Sequence, residues 1–120
     1  MSLGLSLTGK TVISIFPRMD FLMCAMNQLV NHLDKLEDFT HGQYKAHVII
    51  RVGIGSTSPL HPGSQHCGDY TEALRLMLRR VNIVRLLDPS DIIREYELAY
   101  KLMQESTILV EDMNLYGRMV

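Results

Sequence analysis

The sequence predicts an α/β domain: a parallel sheet of about four strands with helices on both faces. Three observations carry that expectation. Short β-branched runs alternate with stretches of helical apolar spacing, and one of the runs is apolar without alternation, as in a strand covered on both sides. The chain, 120 residues long and 47% hydrophobic, is large enough for one core and too small for two. Strands joined through helices favour parallel pairing with right-handed crossovers. The domain is expected over residues 9–120. Residues 1–8 read as a tag or disordered start, with Met1, Ser2 and Leu3 resembling a vector remnant.

After Gly9, "KTVISIF" is β-branched and bounded by Pro17, which predicts a buried strand ending at Phe16. A helix should follow, capped by Asp20. Leu22, Ala25, Met26, Leu29, Leu33 and Leu36 recur at helical spacing on its inward face, leaving Asn31, Asp34, Lys35 and Glu37 in water, and Gly42 breaks the chain. "AHVIIRV", residues 46–52, is the second strand. Asp69 and Glu72, three residues apart, predict a capping box at the start of a short second helix. "VNIVRLL" gives the third strand. "DPSD" then opens a helix with Asp88 as cap, Pro89 at the first helical position and Asp91 at the positive end of the dipole. Ile92, Tyr96, Ala99 and Met103 form its buried stripe, and "TILVED" is the fourth strand.

Sheets of this kind bind ligands beyond the carboxyl ends of their strands, here residues 16–21, 51–67, 87–88 and 111–116. The least regular stretch of the chain, "GSTSPLHPGSQHCGDY" at residues 55–70, lies on that edge, and long connections in compact domains are usually either functional or disordered.

Composition narrows the function classes. The formal net charge is −1, so no basic surplus points to nucleic acid, and no apolar run reaches the roughly 18–20 residues that cross a bilayer. Cys24 and Cys67 form neither a CxxC pair nor a disulfide framework, which fits a reducing, cytoplasmic setting. "RVGIG", residues 51–55, has a Gly-x-Gly after a strand. Pro59 and Pro62, however, delay the next helix by more than a Rossmann turn tolerates, so the glycines are read as turn formers. His61, His66 and Cys67 fall short of the four ligands a structural zinc needs, and no metal is expected. Cys67 as a nucleophile beside His66 is disfavoured because adjacent residues seldom face each other. Left to composition alone, His66 is a loop-bonding imidazole, and Phe21 with Met19, Met23 and Met26 is core packing.

"GKTVISIFPRMDFLMCAMNQLVNHLDK", "HVIIRVGIG", "GSQHCGDYTEAL", "LDPSD" and "TILVEDMNLYG", in this order and spacing, resemble the pyrimidine-binding domain of thiamine-diphosphate-dependent enzymes. The resemblance is closest to the β subunit of the 2-oxo-acid dehydrogenase decarboxylating component, with transketolase more distant, and it covers residues 9–117. It implies that Phe21 lies against the cofactor's aminopyrimidine ring. It implies that His66, of the pair Gln65 and His66, faces the substrate near the thiazolium as the catalytic group, a task suited to the imidazole class. Arg51 and Gly55 match the ends of an Arg-Gly-Pro-x-Gly turn and would shape the substrate pocket together with Gln65.

The chain departs from that pattern in several places. Val52, Gly53 and Ile54 replace the middle of the turn, Cys67 stands where serine is usual, and the stretch from Arg51 to His66 is about two residues longer than the family's, as loops tolerate. An aspartate usual near Asn27 and a Pro-Gly pair around Arg80 and Val81 are missing. So is the glutamate that bonds the pyrimidine ring nitrogen, which in the family lies upstream of the segments matched. "GDY" at residues 68–70 lacks the context of the family's metal–diphosphate motif, found on another domain or subunit.

The resemblance therefore implies a partial pyrimidine-binding domain. The whole enzyme would be an oxidoreductase or transketolase using thiamine diphosphate with Mg, cleaving or transferring a carbon–carbon unit beside a carbonyl, with decarboxylation of a 2-oxo acid the leading chemistry. The isolated chain is expected to be inactive and to bind no cofactor alone. It should self-associate or join an α-type subunit carrying the diphosphate-binding domain, since its sheet edge and two helix faces would otherwise stay bare. The alternative is a non-catalytic interaction module that keeps the fold without the cofactor.

Overall fold

The computed structural model describes residues 1–102 and 105–117. Four strands, β1 (Val12–Phe16), β2 (Val48–Ile54), β3 (Val81–Leu86) and β4 (Ser106–Asp112), form one sheet in the order β1-β2-β4-β3, every pair parallel. The side-chain period of two sends Val48, Ile50, Val52 and Ile54 of β2, with Ile108 and Val110 of β4, into the larger core on one face. Ile49 and Leu109 face the other way and pack with Ala99, Val84 and Tyr96. The helices α2 (Met19–Leu22) and α3 (Leu36–Phe39), the turns between them, and α4 (Thr71–Met77) lie on the first face, and α5 (Pro89–Lys101) covers the second. This is the α/β architecture that the alternating sequence pattern predicts.

Local chemistry explains where the elements begin. At α5 the Asp88 carboxylate accepts from Ser90 N–H at 2.9 Å while Asp91 returns a bond to Asp88 N–H at 3.2 Å, and Pro89 occupies a position that needs no donor. Of its expected stripe, Ala99 is buried, Tyr96 partly buried and Ile92 largely exposed, while Met103 lies outside the described residues. The capping box expected from Asp69 and Glu72 does not form. The helix starts at Thr71, so Asp69 Oδ1 closes a two-residue turn onto Thr71 N–H and hydroxyl instead, and Glu72 pairs with Arg75 at 2.5 Å.

The first long helix departs most from a straight 3.6-residue count. Between Gln28 and Leu33 it widens into a π turn, with Asp34 N–H reaching back to Leu29 C=O. One extra residue in a turn rotates everything beyond it by about 100°, so Asp34, expected in water, turns inward. There it is buried, and its Oδ1 accepts the backbone N–H groups of Arg79 and Arg80, each at 2.8 Å, tying this helix to the start of β3. Asp20 also differs from expectation: Arg18 occupies the cap position, and the Asp20 carboxylate bonds elsewhere.

Residues 1–8, to which the sequence assigns no structural part, form the helix α1 (Ser2–Leu7) and pack beside β1. Ser6 is buried and accepts His47 N–H at 2.6 Å, and Ser2 shares a hydroxyl bond with Ser14 at 2.7 Å. Among the described residues no helix is long and apolar enough to cross a membrane.

Candidate functional site

Two clusters stand at the carboxyl edge of the sheet. The first begins where Pro17 ends β1 and α2 turns onto the sheet. Met19 and Leu22 are buried, which fixes α2 and leaves Phe21 on its outer side with 44% of its surface exposed. Across from it, Gly63 turns the chain with φ 95° into the short 3₁₀ turn Ser64–His66. The imidazole of His66 then lies 5.4 Å from the Phe21 ring, centroid to centroid, tilted by 38°.

Backbone contacts hold that pairing. Arg18 Nη1 donates to Gly55 C=O at 3.1 Å and to His66 C=O at 2.7 Å, linking the end of β2 to the turn. Asp20 Oδ2 accepts Gly68 N–H at 3.1 Å and Oδ1 accepts the Tyr70 hydroxyl at 3.4 Å. His66 Nδ1 is buried and has no hydrogen-bond partner among the described residues. The loop-bonding part that composition alone assigns to His66 falls instead to His61, whose Nδ1 accepts Gly63 N–H at 3.0 Å.

Gly55 joins this wall through its backbone. Its φ of 71° disfavours any side chain, and a Cβ there would meet the Asn114 amide and Asp112 Oδ1. Asn114 in turn accepts Ser56 N–H at 3.0 Å. Gln65 is exposed beside His66.

The second cluster surrounds Arg51. In a strand whose neighbours all alternate, Arg51 points to the α5 face, away from the face on which α2 packs. It therefore does not join Phe21 and His66 as the turn resemblance implies. Its Nε and Nη2 donate to the two oxygens of Glu111 on β4 at 2.8–2.9 Å, and Glu111 also accepts the hydroxyls of Tyr96, at 2.8 Å, and Tyr116. Burial favours the neutral acid, yet the bonds from Arg51, Tyr116 and Tyr96 outweigh it and hold the Glu111 carboxyl below the usual range. Burial and the same carboxylate push both tyrosine hydroxyls up. A cavity of about 330 Å³ opens over this cluster, lined also by Leu86 and Ile92.

Among the described residues no group of three or more His, Cys, Asp or Glu side chains is placed to hold a metal ion. Cys67 Sγ donates to Gly63 C=O at 3.4 Å, and Cys24 is exposed. Residue types alone do not single out Arg18, whose part depends on contacts 37 and 48 residues away. The Arg51–Glu111 pair carries a readable signal: Arg51 interrupts the apolar run of β2, and Glu111 directly follows the apolar run Ile108, Leu109 and Val110 of β4. The sequence matches no protein-family model, and no curated protein is significantly similar to it.

Proposed function

We propose that this chain supplies one wall of a thiamine-diphosphate site, as part of a cytoplasmic enzyme that decarboxylates a 2-oxo acid or transfers a two-carbon unit. One observation carries the reading. Phe21 and His66, 45 positions apart in the chain, converge to 5.4 Å at the carboxyl edge of a parallel sheet, where such folds take their ligands. An exposed aromatic face suits a flat heteroaromatic ring, and an imidazole edge beside it suits binding or protonating a substrate oxygen. When bound, the cofactor would supply the electron sink for carbon–carbon cleavage; this chain would position its ring and face the substrate.

The residues fit only the ring end of that group. The nearby carboxylate, Asp20, is committed to Gly68 N–H and the Tyr70 hydroxyl, and nothing in the cluster resembles a holder for a metal-bound diphosphate. On this reading the rest of the site belongs to a second copy or to a separate subunit.

Calorimetry tests it. Thiamine diphosphate with Mg²⁺ titrated into the chain alone should give no heat. Addition of a partner bearing a diphosphate-binding domain should produce binding, which Phe21→Ala and His66→Ala should each weaken about tenfold or more, the range expected for loss of an aromatic wall or a hydrogen-bonding group. Complex formation without any cofactor heat would favour the non-catalytic interaction module and end the enzymatic reading. Micromolar binding by the chain alone would overturn the division of the site between chains.

A further inference from the structure

We propose that Arg18 is a positioning residue: its guanidinium sets the direction of the His66 imidazole by clasping the main chain on both sides of the 55–66 crossing. The role rests on the wall reading above, but its geometry is a property of this chain alone.

Three features point to it. Nη1 of a guanidinium carries two hydrogens, and here each meets a carbonyl, that of Gly55 at 3.1 Å and that of His66 at 2.7 Å. Gly55 directly follows β2, whose strand is pinned to β4 through Ile54, so one end of the clasp is anchored at the sheet. Arg18 immediately precedes Met19, which is fully buried, so the other end is anchored in the core. Between these anchors the backbone bond of the 3₁₀ turn itself, His66 N–H to Gly63 C=O, is internal to the crossing and does not fix it to the rest of the fold. Asp20 makes the complementary tie two residues beyond His66, on Gly68 N–H.

The planar form of the clasp matters. The two N–H bonds of Nη1 diverge in directions fixed by the guanidinium plane, so one nitrogen can serve two carbonyls; a lysine ammonium carries three donors that rotate on a flexible stem and fixes no such pair of directions. A merely structural arginine would contribute stability wherever it bonded. A positioning arginine must leave the core alone and move one ring.

The test is NMR on the full chain without any ligand, following the His66 ring signals, with Phe21→Leu defining the position they take when the neighbouring ring current is gone. Arg18→Ala should carry the His66 signals most of the way to their Phe21→Leu position, while the methyl signals of Ile108 and Leu109 stay where they are. Arg18→Lys should recover part of the displacement. His66 signals unmoved in Arg18→Ala would overturn the proposal. So would an Arg18→Ala chain that loses its core signals, or an Arg18→Lys chain indistinguishable from Arg18→Ala, since either marks a general structural contact. Because no cofactor is present in this test, a complex with the partner that gives no cofactor heat and an unmoved His66 ring are separate failures.

Discussion

The two clusters at the carboxyl edge are built from similar side chains and treat them in opposite ways. Around Glu111, two tyrosine hydroxyls and a guanidinium converge on one carboxylate, so the polar atoms satisfy each other. Around Phe21 and His66 the ties run through main-chain atoms, from Arg18 and Asp20, and the two rings are left facing each other with Phe21 partly in water. Saturated networks rigidify a fold; ordered rings with unspent faces are what a ligand needs. The cavity of about 330 Å³ beside Arg51 is thus the poorer candidate, because its polar groups already have partners.

If that contrast holds, the largest effect belongs to Glu111→Ala. The Glu111 side chain is 11% exposed and Arg51 40%, so the abandoned guanidinium can partly rehydrate while the two hydroxyls lose their acceptor. A cost of about 2–3 kcal/mol follows, below that of a fully buried pair. Urea unfolding measures it. A loss under about 0.5 kcal/mol, the level of an ordinary surface change, would erase the distinction between the clusters.

Acid sharpens the same contrast. Glu111 is held below its ordinary value of 4.5 in the folded chain, so the unfolded chain takes up the proton first. The stabilisation is therefore complete above about 4.5 and is lost as pH falls through the lower, folded value. Asp69 acts in the same direction: burial opposes its charge, but the bonds from Thr71 and the pairing with Arg85 prevail. Glu111→Gln starts less stable and has no proton to bind there, so its stability should fall less steeply below that point than the wild type's. Parallel curves for the two chains would detach the carboxylate from the acid response.

How much of this was legible in the sequence follows from how local each cause is. The start of α5 was readable to the residue, because Asp88, Pro89 and Asp91 satisfy one another within a single turn. The parallel sheet was readable because apolar runs and helical spacing alternate. Asp34 was not: its burial follows from a π turn that spacing alone cannot show, and its partners are 45 and 46 positions away. The direction of Arg51 escaped for a related reason. In a strand covered on both faces nothing marks which of its two alternating sets meets which helix layer, so a motif match placed Arg51 with Gly55, four residues on, although the pleat sends its side chain to α5. The meeting of Phe21 with His66 came into view only through a family resemblance, since no propensity brings together a helix start and a loop so far apart.

The smallest effect is the most informative about the wall. Phe21 keeps 44% of its surface exposed and flanks a half-buried imidazole instead of filling the core, which Met19 and Leu22 already occupy. Truncation to leucine should therefore cost about 0.5–1 kcal/mol, most of it from a single aromatic contact. The same urea titration that registers Glu111→Ala would detect it, with the denaturant slope unchanged because the surface exposed on unfolding is nearly the same. A loss of about 2 kcal/mol or more would instead make Phe21 a core residue. Both edge clusters would then be structural, and no aromatic face would be left over for a ligand.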